Sequence, residues 1–366
     1  MVSLALCGDV MLGRGIDQIL GHPGAPELWE TYVRDARDYV RLAEAVNGPV
    51  PRGADPRWPW GDALPHLLDA DVRVLNLETA VTAGGTPAAG KGIHYRLHPA
   101  NLPCLRAARP DVCVLANNHV LDFGADGLVD TLAALRAGGL ATAGAGADAA
   151  AAWRPAPVAS GPGRVVVLAA GLPSSGIPAG WAATAEGPGV AYVPEPSAAW
   201  ARRIAAEIEA ARRPGDLVVA SLHWGGNWGY QVAHDERRFA HALIDGGADV
   251  VHGHSSHHPR PVELHHGRLI LYGCGDLIND YEGIGGHERY RADLRLVYLA
   301  ELEATDGTLT GLRLVPLQAR RLRLERATAG ETAWLRDTLD EISEPYGIRM
   351  GTGTDGTLTA LFDSDI

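Results

Sequence analysis

The feature that most constrains this chain is a recurring pair: a short apolar run, too brief for a helix, followed by a residue able to bind a cation. Val112-Cys113-Val114-Leu115 is the clearest case, bounded by Pro110-Asp111 and followed by Asn117, Asn118, His119 and Asp122. Ala125 to Ala137 comes next, with Leu128, Leu132 and Leu135 at helical spacing before Gly138-Gly139. The design recurs where Val2 to Cys7 leads to Asp9, Val72 to Leu77 to Glu78, Asp216 to Leu222 to His223, and Ala248 to Val251 to His252 and His254. Helices expected at Glu27–Val46, Pro99–Ala108, Ala198–Ala211 and Asp235–Asp245 alternate with these strands. That order predicts an α/β fold whose strand ends share one sheet edge, the place where such sheets bind ligands. Oxygen and imidazole donors there suit one or two divalent ions: Mn, Zn or Fe(II), or Mg if carboxylates dominate. Asp122 stands close enough in sequence to His119 to hold its tautomer.

Composition sets limits on partners. A formal charge of −12 over 366 residues argues against a nucleic-acid groove and suits a protein that gathers a cation. No apolar run approaches the roughly 18 residues of a membrane-spanning helix, and a strand begins at Val2 without a signal peptide. A cytoplasmic protein without a membrane partner is expected. Cys7, Cys104, Cys113 and Cys274 lack CxxC spacing and read as reduced, mostly buried thiols. Residues 141–163 read as a surface connection, and the long loop 172–196 has the length of a lid. Asp306-Gly307 marks a hairpin between Leu294–Glu303 and Thr308–Leu317, followed by a helix near Thr332–Ile342 and a last hairpin. The expected division is a catalytic domain over 1–320 and a C-terminal extension, 321–366, packed on it.

Six motifs in order carry a resemblance: Gly8-Asp9-x-x-Leu12-Gly13-Arg14, Asn76-Leu77-Glu78, Ala116-Asn117-Asn118-His119-x-Leu121-Asp122-x-Gly124, His223-Trp224-Gly225, Gly253-His254 and Tyr272-Gly273-x-Gly275-Asp276. Together they resemble the CapA-type family, named for poly-γ-glutamate capsule synthesis and similar to calcineurin-like metallophosphoesterases. The resemblance implies a four-layer αββα sandwich with a C-terminal hairpin and helix extension, and a metal centre at the strand ends. It implies Asp9, Glu78, Asn118, His223 and His254 as ligands, beside the strand-end His252, and His119 with Asp122 as the acid/base pair. Three departures stand out: Met11 where metallophosphoesterases carry a second ligand histidine, Glu78 in place of the bridging aspartate, and His257 one residue late in the final motif. Fewer ligands weaken the two-metal clamp of phosphoryl transfer.

A branch of the family, the epimerases of lasso-peptide (ribosomal peptide) biosynthesis, is similar in needing no phosphoryl chemistry. It implies a metal-dependent peptide epimerase acting at Cα of a precursor peptide. Such a reaction needs an acid/base group on each face of Cα. His119 is the first candidate, and Cys7, His94, His254 or a metal-free Asp9 the candidates for the second. Arg14, Trp224, Trp228 and Tyr230 are expected to contact the peptide. The alternatives are a metal-dependent hydrolase of a phosphoester or γ-glutamyl bond, and a capsule-polymer assembly protein.

Overall fold

The computed structural model describes residues 1–161 and 163–362. Most of its strands join two large sheets. In the ten-stranded sheet Val2–Val10, Val72–Leu77, Val112–Val114 and Ala141–Ala143 run parallel, in that spatial order. Leu294–Leu302 pairs antiparallel on the other side of Val2–Val10, and Leu309–Ala319, Leu358–Leu361 and Arg349–Thr352 continue outward from it. The short strand Asp276–Ile278 pairs with the end of Val2–Val10. The six-stranded sheet has a parallel centre of Gly163–Gly171, Asp216–His223, Val250–His254 and Arg268–Leu271, edged by Ala156–Ser160 and Val262–His265.

Side chains alternate across a strand, and here the alternation assigns each face a neighbour. Leu217, Val219, Val250, Leu269 and Leu271 are buried in one core with Leu4, Leu6, Val74 and Val114 of the first sheet. Their chain neighbours Val218, Ala220, Leu222, Val251 and Ile270 are buried instead with Ile204, Ile208, Phe239 and Leu243 of the helices Ala198–Ala211 and His234–Asp245. Val40 and Ala43 of Arg37–Asn47, and Leu128 and Leu135 of Gly124–Ala137, cover the first sheet. Helix, sheet, sheet, helix is the resulting order, the α/β sandwich expected from the motifs. Ser221 and His223 share the parity of Leu217 and Val219, and His252 and His254 that of Val250. All four therefore face the space between the sheets.

Two local expectations fail. A short helix, Gly15–Ile19, comes first, and the helix expected over Glu27–Val46 begins only at Arg37, because Glu27 bridges to Asp35 and the Leu28 amide donates to the Arg34 carbonyl at 2.9 Å, closing a loop. Residues 141–163 are not a surface connection: Ala141–Ala143 is the outermost parallel strand of the large sheet and Ala156–Ser160 edges the other. Their small side chains mask the strand signal and are required by packing. A Cβ on Gly144 would lie 2.7 Å from Cβ of Ala116 and 2.9 Å from Cβ of Ala169, one residue near each sheet. Residues after 320 also join the main sheet, with Leu335, Leu339, Ile348 and Leu358 in the same core.

Candidate metal centre and acid/base pair

Asp9 reaches the space between the sheets because its strand shifts register between Cys7 and Asp9. Gly8 permits the shift: a Cβ there would sit 1.7 Å from the Gly275 carbonyl oxygen. On the facing sheet the register sets Ser221 beside His252 and His223 beside His254. Asp9, His223 and His254 are all fully buried, and each offers a ligand atom within 4.8 Å of the others. Another cluster of this kind, Asp245 with His265 and His266, is half exposed and already hydrogen-bonded between His265 and Asp245.

Hydrogen bonds fix which nitrogens face inward. The Cys7 carbonyl can only accept, so His252 donates Nε2–H to it at 3.0 Å. His252 Nδ1 then accepts from the Ser221 hydroxyl at 3.0 Å, and that oxygen accepts Nε2–H of His254 at 2.9 Å. The relay leaves His254 Nδ1 as a bare lone pair. It lies 2.8 Å from His223 Nδ1 and 3.9 Å from Asp9 Oδ1. His223 turns its Nε2 to Asn118 Oδ1 at 3.1 Å, with Glu78 Oε1 at 3.9 Å. With Asn118 accepting from Nε2, the His223 Nδ1 is a second lone pair facing the first. Two imidazole lone pairs and a buried carboxylate converging on one point fit a cation.

The electrostatics agree. Burial, with the Asp276 charge added, pushes the Asp9 carboxyl up to about 7. Burial and Asp9 push Glu78 well above the usual carboxylate range. Burial holds His223 and His254 well below the usual imidazole range, so both are neutral and able to ligate near neutral pH. A bound cation would relieve the repulsion between the carboxylates.

His119 stands next to this cluster. Its Nδ1 donates to Asp122 Oδ2 at 2.7 Å, which leaves Nε2 unprotonated and 3.8 Å from Glu78 Oε1. The Tyr95 amide also donates to Asp122 Oδ2, at 2.6 Å, and the Tyr95 ring meets the imidazole edge-on. Burial lowers His119 to about 4, so it is a neutral base. Burial opposes ionisation of Asp122, but His119 and Lys91 together hold its carboxyl below the ordinary value.

The other expected residues divide. His252 has both ring nitrogens engaged by Cys7 and Ser221 and orients His254; it is not placed as a ligand. Cys7 is buried and its thiol is pushed up to about 12, which removes it as a proton carrier. His94 bonds the Ala88 carbonyl at 3.0 Å and packs by Trp29 and Phe123, outside the cluster. Trp224 is core: it is fully buried, donates to the Tyr272 carbonyl at 3.0 Å and stacks on the Tyr272 ring. Arg14 and Trp228 line a cleft of about 760 Å³ that reaches His257, although Arg14 itself is engaged by Asp280 and Glu30. Tyr230 flanks a separate depression with Trp228, Arg289 and Tyr290.

Sequence reasoning missed Ser221, which period-two counting back from His223 reaches. It missed Asn76 as well, whose Nδ2 donates to Asp9 at 2.7 Å and Glu78 at 3.1 Å. The pair His257–Asp276, 2.9 Å apart, joins the cleft to the cluster through a contact no spacing reveals.

The comparisons with known proteins agree with this architecture. Residues 3–281 match the model of the bacterial capsule synthesis protein family PGA_cap. The chain is 53% identical over 365 residues to a protein of Mycobacterium tuberculosis named "Probable polyglutamine synthesis accessory protein", covering 99% of this chain and 96% of that one. It is 26% identical over 287 residues to the PGA biosynthesis protein CapA of Bacillus subtilis, covering 76% and 64% of the two chains. With two thirds of its length or more matched in each case, the chain belongs to the PGA_cap family of bacterial capsule synthesis proteins.

Proposed function

We propose that the chain is a cation-dependent acid/base enzyme acting on an amide-linked chain of the glutamyl or glutaminyl type during synthesis of that polymer, by cleaving or transferring an amide bond. The observation that carries this reading is the juxtaposition of a neutral, Asp122-oriented His119 with the inward-facing donors of Asp9, His223 and His254. A bound divalent cation would polarise an amide carbonyl. The chain's own residues supply the rest: His119 Nε2 takes a proton from the water or amine that bonds to the carbonyl carbon and returns it to the amine whose C–N bond breaks, Asp122 stabilises the imidazolium in between, and Asn118 holds His223 in place. The printed names of the relatives speak of polymer synthesis and support the substrate class.

Inversion at a peptide Cα, the leading expectation from sequence, finds no support among these relatives. Of the second proton carriers weighed for it, Cys7 is buried in the core and His94 lies outside the cluster, while His254 and Asp9 belong to the donor set read here as holding the cation.

The test incubates the full chain with Mn²⁺ and synthetic α- and γ-linked glutamyl and glutaminyl oligomers, in D2O, and follows new amine termini and deuteron uptake by mass spectrometry. Cleavage or transfer that His119→Ala slows by about a hundredfold or more supports the reading. Deuteron uptake at Cα without cleavage would restore epimerisation. Neither change would leave the third alternative, an assembly protein without turnover.

A further inference from the structure

Of the 32 lysines and arginines in the chain, one is lysine: Lys91. It lies on the irregular stretch between Ala80–Val81 and Arg96–Leu97 and reaches the turn that carries the acid/base pair. Its ammonium donates to the Asn118 carbonyl oxygen and to the Asp122 carboxylate. It stands 3.0 Å from His119 Nδ1 and 5.1 Å from the centre of the Trp181 ring, with a fifth of the side chain exposed.

Elsewhere the buried Asp276 is met by the imidazole of His257, and several other buried or half-buried carboxylates receive arginine: Asp280 from Arg14, Asp216 from Arg164, Glu236 from Arg260, Glu263 from Arg237. The arginine sites tolerate a planar fork. At residues 118–122 the acceptors, a backbone carbonyl and a carboxylate on one tight turn, converge on a single point. A compact ammonium satisfies both, whereas a guanidinium spreads its donors in a plane.

We propose that Lys91 is a positioning residue of the cation centre. It clamps the 118–122 turn so that Asn118 Oδ1 stays against His223 and the His119 ring stays turned toward Glu78. This rests on the cation reading of the site given above. Because coupling is reciprocal, a cation that fixes Asn118 and His223 must also tighten the lysine's hold on the turn.

A single lysine makes the test direct. The native chain is treated with an amine-acylating reagent with and without saturating Mn²⁺, and the peptide containing residue 91 is quantified by mass, with the exposed amino terminus as control. Mn²⁺ should slow acylation of Lys91 about fivefold or more while leaving the terminus unchanged. Lys91→Arg should weaken Mn²⁺ binding about tenfold and alter the visible spectrum of the Co²⁺-loaded protein at an unchanged unfolding midpoint. Equal acylation with and without Mn²⁺ overturns the proposal, and should Lys91→Arg not fold, that measurement on the native chain decides alone. Wild-type affinity and spectrum in Lys91→Arg overturn Lys91's role while leaving the cation centre standing. A native chain that binds neither Mn²⁺ nor Co²⁺ overturns both.

Discussion

His252 and His254 lie two residues apart on one strand face, yet their surroundings give them different tasks. His254 presents a lone pair to the cluster, whereas His252 is held between Cys7 and Ser221. His254→Ala should abolish high-affinity Mn²⁺ binding in titration calorimetry. His252→Ala should keep one cation per chain while unfolding at lower urea, the loss being about 1–3 kcal/mol for each polar partner left unsatisfied. Equal loss of binding in both variants would refute the division. The pH dependence follows from Asp9. Its carboxyl, raised to about 7, is protonated in the cation-free fold below that pH, while His223 and His254 are already neutral. A cation must displace the Asp9 proton, so affinity should climb with pH about tenfold per unit below 7 and flatten above it. Calorimetry in buffers of different ionisation enthalpy would show the proton released; none released at pH 6 would contradict this assignment. The strand-end residues Asp9, His223 and His254 were legible in sequence as polar ends of apolar runs. The tautomers were not, because they depend on a carbonyl and a hydroxyl contributed by different sheets.

Among elements, the end of Val2–Val10 is the most demanding. Its shifted register brings Asp9 inward, and the Gly275 carbonyl occupies the space a side chain at residue 8 would need. Gly8→Ala should therefore cost about 1–3 kcal/mol of overpacking and move Asp9 away from the histidines. Denaturant melts and Mn²⁺ titration would register both effects, and an unchanged affinity would show that the bulge does not set the site. The alanine-rich strand Ala141–Ala143 escaped sequence reading because its register partners, not its own propensity, make it a strand. Gly124–Ala137 and Ala198–Ala211 were legible almost to the residue, since helical spacing of apolar residues is a local property.

For the whole molecule, the C-terminal segment is part of the large sheet. Leu335, Leu339, Ile348 and Leu358 share a core with Leu4 and Leu6, and Leu358–Leu361 pairs with Leu309–Ala319. Truncation after residue 320 would bare that face and a long strand edge, so it should yield aggregated rather than soluble protein. A soluble, cation-binding fragment would establish 1–320 as an independent domain. By itself the sequence determined the α/β class, the strongly apolar strands and the periodic helices, and which side chains end those strands, because periodicity and polarity are local and repeat along the chain. Tertiary structure alone decided which of those side chains meet. The two sheets face one another through alternate residues, so a bulge at Gly8, a register match at His223 and His254, and a lysine from a distant loop converge where no spacing along the chain could place them.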